Sequence, residues 1–363
     1  MVRVVVASDK FKGSLTSAEV ATAVGAGVRR VHPDATVVAV PVADGGDGTL
    51  TAAVGAGFTH VPVVATGPTG QPVKSGYARL GDTAVVELAD VSGLVRLPHG
   101  HLSPMTATSY GTGELIAAAI AAGCTRIILG IGGSASTDGG RGLIEVLIGA
   151  RLDVEALRRR LRGVQVVVAC DVDNPLTGPR GAAAVYGPQK GATVEQVAEL
   201  DARLGEWADL VARVTGRDVR DASGAGAAGG VGFAALALLG AELRPGIELV
   251  LEMVGFEEQV VGADLVITGE GALDEQTLHG KAVAGVAAAA RRADAVPVVA
   301  VCGVNRLEAD ELQEAGVRAA YALTELEPDV HRCIAEPEPL LEQLGERIAV
   351  EHLTMTRRER GIA

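Results

Sequence analysis

The sequence predicts an α/β protein in which both chain ends build one domain and the middle of the chain forms a second, inserted one. Three observations carry that prediction. β-branched runs alternate with amphipathic helical stretches at the start of the chain and again over its last third, the rhythm of a parallel sheet. Residues 60–97 break that rhythm with short alternating runs set off by Gly/Pro turns, which read as antiparallel strands. Glycine-rich and acidic loops repeatedly follow a strand and precede a helix, where open parallel sheets bind their ligands. A chain of 363 residues suits two domains, assigned here to 1–59 with 245–363 and to 60–244.

Taken in order, residues 2–7 form a strand, and a helix follows in which Thr16 and Glu19 have capping-box spacing. His32-Pro33 ends that helix near Val31. A second strand covers 36–42 and a helix opens after Thr49. Residues 60–66, 73–80 and 83–90 are the three antiparallel runs. A helix over 111–122, a strand over 126–131, a Gly/Ser loop to Gly140 and a strand over 164–170 come next. Thr193 and Gln196 cap an amphipathic helix reaching Val214. Residues 263–268 are a strand running into a loop at 269–274, followed by a helix over 275–292. Strands at 296–302 and 318–323 and a helix over 337–354 close the chain.

Composition excludes several classes. Hydrophobic residues make up 48% and charged ones 21%, too apolar for a disordered chain. A formal net charge of −13 repels nucleic acid and anionic membrane, and nine aromatics supply few stacking platforms. No apolar run spans a bilayer, and the one at the start is too short for a signal peptide. The four cysteines have no metal or redox spacing and read as reduced thiols, so a cytoplasmic protein is expected.

The chemistry sits in the loops. Residues 130–140, GIGGSASTDGG, read either as a flexible turn or as an anion cradle in which glycine admits phosphate, hydroxyls donate and Asp138 faces a cation. Asp171 and Asp173 read either as an Asx-turn before Pro175 or as half of a magnesium site. Asp9, Asp44, Asp47, Glu270 and Asp274 stand at similar strand ends, although Asp9 and Asp44 equally suit plain helix entry. Only five of the 32 basic residues are lysine, and Lys10, Lys12, Lys190 and Lys281 lie in these loops while Lys74 lies in a strand. Gly280-Lys281 lacks the rest of a Walker A loop. GAGAAG at 224–229 matches a dinucleotide fingerprint but follows no strand, so close packing accounts for it better than a nicotinamide cofactor. Histidines show no metal spacing, and no serine-hydrolase elbow is present. Anion-cradling loops, paired carboxylates and loop lysines together point to phosphoryl transfer.

The motifs SDKFKGSL (8–15), PVADGGDGT (41–49), GTGELI (111–116), 130–140, ACDVDNPL (169–176), YGPQKGA (186–192), GAGAAGGVG (224–232) and ITGEGALDEQT (267–277) resemble those of the two-domain bacterial glycerate kinase family, in the same order and over nearly the whole chain. The resemblance implies a flavodoxin-like domain from the chain ends, an inserted second α/β domain and a cleft between them. It also implies ATP- and Mg²⁺-dependent phosphorylation of D-glycerate, with family usage favouring 2-phosphoglycerate over 3-phosphoglycerate. Asp47 stands where the family commonly has glutamate, and the 140–164 connection is shorter than usual.

Given that resemblance, Lys10 or Lys12, with the Gly13 and Ser14 amides and Asp47, is expected to hold glycerate. Gly132, Gly133, Ser134, Asp138, Gly139, Gly140, Lys190 and Lys281 are expected at ATP, and Asp171 and Asp173 at Mg²⁺. Asp44 is the expected general base, Asp274 the second choice, and Lys12 a catalytic cation. Partners are then glycerate, ATP and a second copy of the chain. A kinase of another small hydroxy acid and a silent ligand-binding homologue are the alternatives.

Overall fold

The structure is a computed structural model that describes residues 1–278 and 281–353. The chain divides into a terminal unit, Met1–Asp44 with Ile247 onward, and an inserted unit, Gly45–Gly246. The inserted unit therefore begins before Thr59 and includes the helix Thr49–Gly55, which the sequence placed with the chain ends.

Five parallel strands form the sheet of the terminal unit. β1 (Arg3–Ser8) is an interior strand with the edge strand β2 (Thr36–Ala39) on one side. Three later strands extend the other side, β9 (Leu265–Leu273), β10 (Val298–Asn305) and β11 (Ala320–Ala322). Counted within the unit the order is 2-1-3-4-5, the flavodoxin-like arrangement. Val4, Val6, Ile267, Val299 and Val301 share a core with the helices Ser17–Val31 and Pro337–Leu353. The first helix opens with the expected reciprocal Thr16–Glu19 capping box.

The inserted unit has a six-stranded mixed sheet. β3 (Thr59–Thr66), β4 (Pro72–Leu80) and β5 (Thr83–Glu87) pair antiparallel as expected. β5 then runs parallel to β6 (Arg126–Gly130), followed by β7 (Gln165–Ala169) and β8 (Glu242–Arg244). The third run ends at Glu87, because Leu88–Ser92 turns into a helix. Helices Arg141–Ile148 and Val154–Arg160 occupy the 140–164 connection. The 22-residue helix Val194–Thr215 carries the expected Thr193–Gln196 capping box.

Two elements differ more sharply from expectation. Residues 269–273 continue β9, because β10 also runs on to Asn305 and pairs Glu270, Ala272 and Leu273. The helix expected over 275–292 is two, Glu275–Leu278 and Ala282–Asp294. His279, Gly280 and Thr354 lie outside the described residues.

Candidate functional site

In a 2-1-3-4-5 sheet, β1 sends its chain to one side and β9 continues on the other, so the crevice beyond their carboxyl ends is the topological switch point. Ser8 pairs Gly269 there, and Asp9 donates its amide to the Gly269 carbonyl at 2.8 Å. Asp9, the first residue past β1, thus lies near Glu270 within β9. Burial, then the Asp44 charge, pushes the Asp9 carboxyl up to about 7, against the opposing pull of the Lys10 charge and amide. Burial also raises Glu270, whose Oε1 accepts the Thr277 hydroxyl at 2.5 Å and which feels the Lys281 charge. The sequence left Asp9 open between a strand-end carboxylate and a plain helix-entry acid, and gave it no catalytic role. The signal available was a carboxylate in the first residue past the strand whose Val4–Ala7 stretch is wholly buried.

The lysines and turns around this point behave differently from one another. Lys12 is exposed, and the Gly13 turn (φ +84°) folds residues 11–15 into an isolated bridge. The Ser14 amide bonds the Phe11 carbonyl at 2.9 Å, so it closes the turn and is not an open anion donor. Asp274 accepts from the Gln276 amide at 2.9 Å and its own amide bonds Thr277 Oγ1 at 3.0 Å, which makes it the turn residue that starts the helix Glu275–Leu278. Lys281 precedes the helix Ala282–Asp294 and bonds Gln276 Oε1 at 2.7 Å.

In the inserted unit the Gly/Ser loop leaves β6 as expected, but its parts do different things. Gly133 is exposed with φ +74°, and its carbonyl accepts from Leu94 at 3.0 Å. Gly132 lies beside it, its amide 3.5 Å from the Gly45 carbonyl. Asp138 faces inward, contrary to the expectation of a cation. Its carboxylate accepts from the amides of Ser109 (2.9 Å), Gly140 (3.0 Å) and Gly142 (3.2 Å), and from the Ser109 hydroxyl at 2.8 Å. The Gly139 amide bonds the Gly229 carbonyl at 2.9 Å. The Gly139 and Gly140 amides are therefore satisfied within the protein and are not free to cradle phosphate, which leaves Gly132 and Gly133 as the more exposed end of the loop.

Lys190 is only 2% exposed, and its ammonium donates to Ser134 Oγ at 2.9 Å and the Ser136 carbonyl at 2.5 Å. GAGAAG packs tightly, as expected: a Cβ on Gly229, where φ is +68°, would meet the Ser136 carbonyl oxygen at 2.0 Å. Glu87, at the end of β5, accepts from the Leu50 amide at 2.8 Å and the Gly48 amide at 3.2 Å. Burial pushes it up to about 7, with the nearby Asp47 charge adding to the shift. The sequence placed Glu87 inside a longer strand and so gave it no role.

The expected magnesium pair does not come together as one site. Asp173 is exposed and ion-paired through both oxygens to Arg180 at 3.1 and 3.0 Å, whereas Asp171 Oδ1 accepts the Gly246 amide at 2.8 Å. Among the described residues, no group of three or more His, Cys, Asp or Glu side chains could hold a metal ion. Nor, among them, is any helix long and apolar enough to cross a membrane.

Comparison with known proteins places this geometry. The model of the glycerate kinase family matches residues 4–152 and 149–353. A glycerate kinase of Bacillus subtilis is 45% identical over 88% of this chain and 90% of its own length. A glycerate 2-kinase of Escherichia coli is 41% identical over the same shares. A solved structure from Salmonella typhimurium LT2, provisionally described as glycerate kinase 2, superposes with a TM-score of 0.79 at 40% identity, covering 96% of this chain and 98% of that one. Matched along nearly all of its length, the chain belongs to the glycerate kinase family and is a kinase.

Proposed function

We propose that the protein transfers the γ-phosphoryl group of ATP to a hydroxyl of D-glycerate, giving 2-phosphoglycerate and ADP. The observation that carries this reading is the family match together with a carboxyl poised near neutrality at the switch point of the terminal sheet. Asp9 is the general base in this scheme. It accepts the proton of the attacked hydroxyl, and the Asp44 charge keeps it basic enough to do so near pH 7. Asp44, the base expected from sequence, becomes the residue that tunes it.

Lys10 and the exposed Lys12 supply the cations for the glycerate carboxylate. ATP phosphates take the Gly132–Gly133 backbone and Ser134, and Lys281, beside Glu270, meets the nucleotide as a further point charge. Asp171 and Asp173 do not fit a shared Mg²⁺ site, so the ion is assigned to the ATP phosphates. A cytoplasmic homodimer completes the proposal, and sedimentation tests the dimer.

The deciding experiment is an enzyme-linked assay of ADP release with D-glycerate and Mg-ATP, with phosphorus NMR of the product. Release with a different hydroxy acid but not with glycerate would move the substrate. Glycerate binding without ADP release would make the protein a silent homologue, and a 3-phosphate signal would correct the position of attack.

A further inference from the structure

We propose that Lys190 is a positioning residue for the nucleotide loop: its buried ammonium ties Ser134 to the Ser136 carbonyl and so sets the curve of the chain that faces ATP, without touching the nucleotide itself. The inference rests on the reading that Gly132–Ser134 faces phosphate.

Lys190 ends the turn Pro188–Lys190, and Gly191 follows it with φ +90°. Its ammonium bonds run inward, to a hydroxyl and a carbonyl of one loop two residues apart. An ammonium with almost no exposure is costly unless its acceptors are well placed. Here burial draws its pKa down to about 8, against the opposing pull of the Asp138 charge. An isolated antiparallel bridge between Gly93 and Ser134 holds the backbone of this stretch, but not its side chains. The hydroxyls of Ser136 and Thr137 are buried and have no partner, and the Ala135 amide bonds Ser92 at 3.0 Å. The lysine is thus the tie between the Ser134 hydroxyl and the Ser136 carbonyl.

The molecule carries its own reporter. Trp207 is the single tryptophan, and its indole N–H bonds the Gly139 carbonyl of the same loop at 3.0 Å. The experiment follows Trp207 emission of the full chain without nucleotide from pH 6.5 to 9.5. It then measures kcat and both KM values for the unaltered protein, Lys190→Met and Ser134→Ala.

The emission should step with a midpoint near pH 8 in the unaltered protein and stay flat across that range in Lys190→Met. The KM for ATP should rise about tenfold in Lys190→Met and about threefold in Ser134→Ala, with the KM for glycerate within about twofold. A step that survives in Lys190→Met overturns the proposal. So does a fall in kcat at unchanged KM for ATP, which marks a lysine that meets the transferring phosphoryl group. If Lys190→Met does not fold, a flat emission profile in the unaltered protein, or an unmoved KM for ATP in Ser134→Ala, overturns it equally. A lysine-dependent step with every KM unchanged keeps the tie but refutes the assignment of this loop to ATP, so the two failures are distinguishable.

Discussion

Replacing Asp44 by Asn tests the proton-transfer scheme most directly. The Asp9 carboxyl lies about three units above its ordinary value of 3.8, worth roughly 4 kcal/mol of disfavoured ionisation. Burial is the larger cause and the Asp44 charge the next. Removing that charge while keeping an amide of similar shape should leave the burial and lower Asp9 by about one unit. A base acts when deprotonated, so kcat/KM should fall on the acid side of pH 7 in the unaltered enzyme, and Asp44→Asn should move that limb to about pH 6. At pH 6 the base form then rises from about a tenth to about half, roughly a fivefold gain relative to the plateau. The assay is the initial rate of ADP release at limiting glycerate from pH 5 to 9. Asp9→Asn, measured beside it, should lose at least about a hundredfold in kcat. An acid limb that stays put in Asp44→Asn refutes the tuning. If Asp44→Asn is dead while Asp9→Asn retains most of its rate, Asp44 is the base.

Three further outcomes follow from single contacts. Lys12→Arg should raise the KM for glycerate about tenfold, whereas Lys74→Arg, on an exposed position of β4, should leave kinetics within about twofold. Asp173→Asn breaks a surface ion pair with Arg180 and should leave turnover and the Mg²⁺ dependence unchanged, and a tenfold higher Mg²⁺ requirement would restore the metal role. Glu87→Gln keeps an oxygen for the Leu50 and Gly48 amides but cannot ionise. Because Glu87 is raised in the folded state, its ionisation costs nothing below about pH 4.5 and destabilises increasingly up to about pH 7. Urea unfolding should therefore show Glu87→Gln more stable by up to about 3 kcal/mol at pH 8, and equal to the unaltered protein at pH 4.

Local signals in the sequence translated well into local structure. Thr16 with Glu19 and Thr193 with Gln196 predicted two helix starts that the structure reproduces bond for bond. Neighbour-dependent features were harder to read. Residues 269–273 contain two glycines and look like a loop, yet they are strand because β10 extends far enough to pair them. The affiliation of the helix Thr49–Gly55 was equally invisible, since Glu87, which caps its start, lies about forty residues away in the chain.

The glycine loop at 130–140 shows why the candidate site was only half legible. Composition marks a backbone free of side chains, and two very different partners exploit that freedom. At Gly132 and Gly133 the chain is partly exposed and a phosphate can approach. At Gly139 the same freedom serves another stretch of protein: φ is +68°, a Cβ would sit 2.6 Å from the Trp207 ring, and the amide is taken by Gly229. Both positions look alike in sequence, as do Asp138 and a cation ligand. What separates them is burial, which at Gly139 is set by Trp207 and Gly229, far along the chain. Under the proposed function the nucleotide end of this loop is therefore the more exposed Gly132–Gly133, with Ser134 held from behind by Lys190.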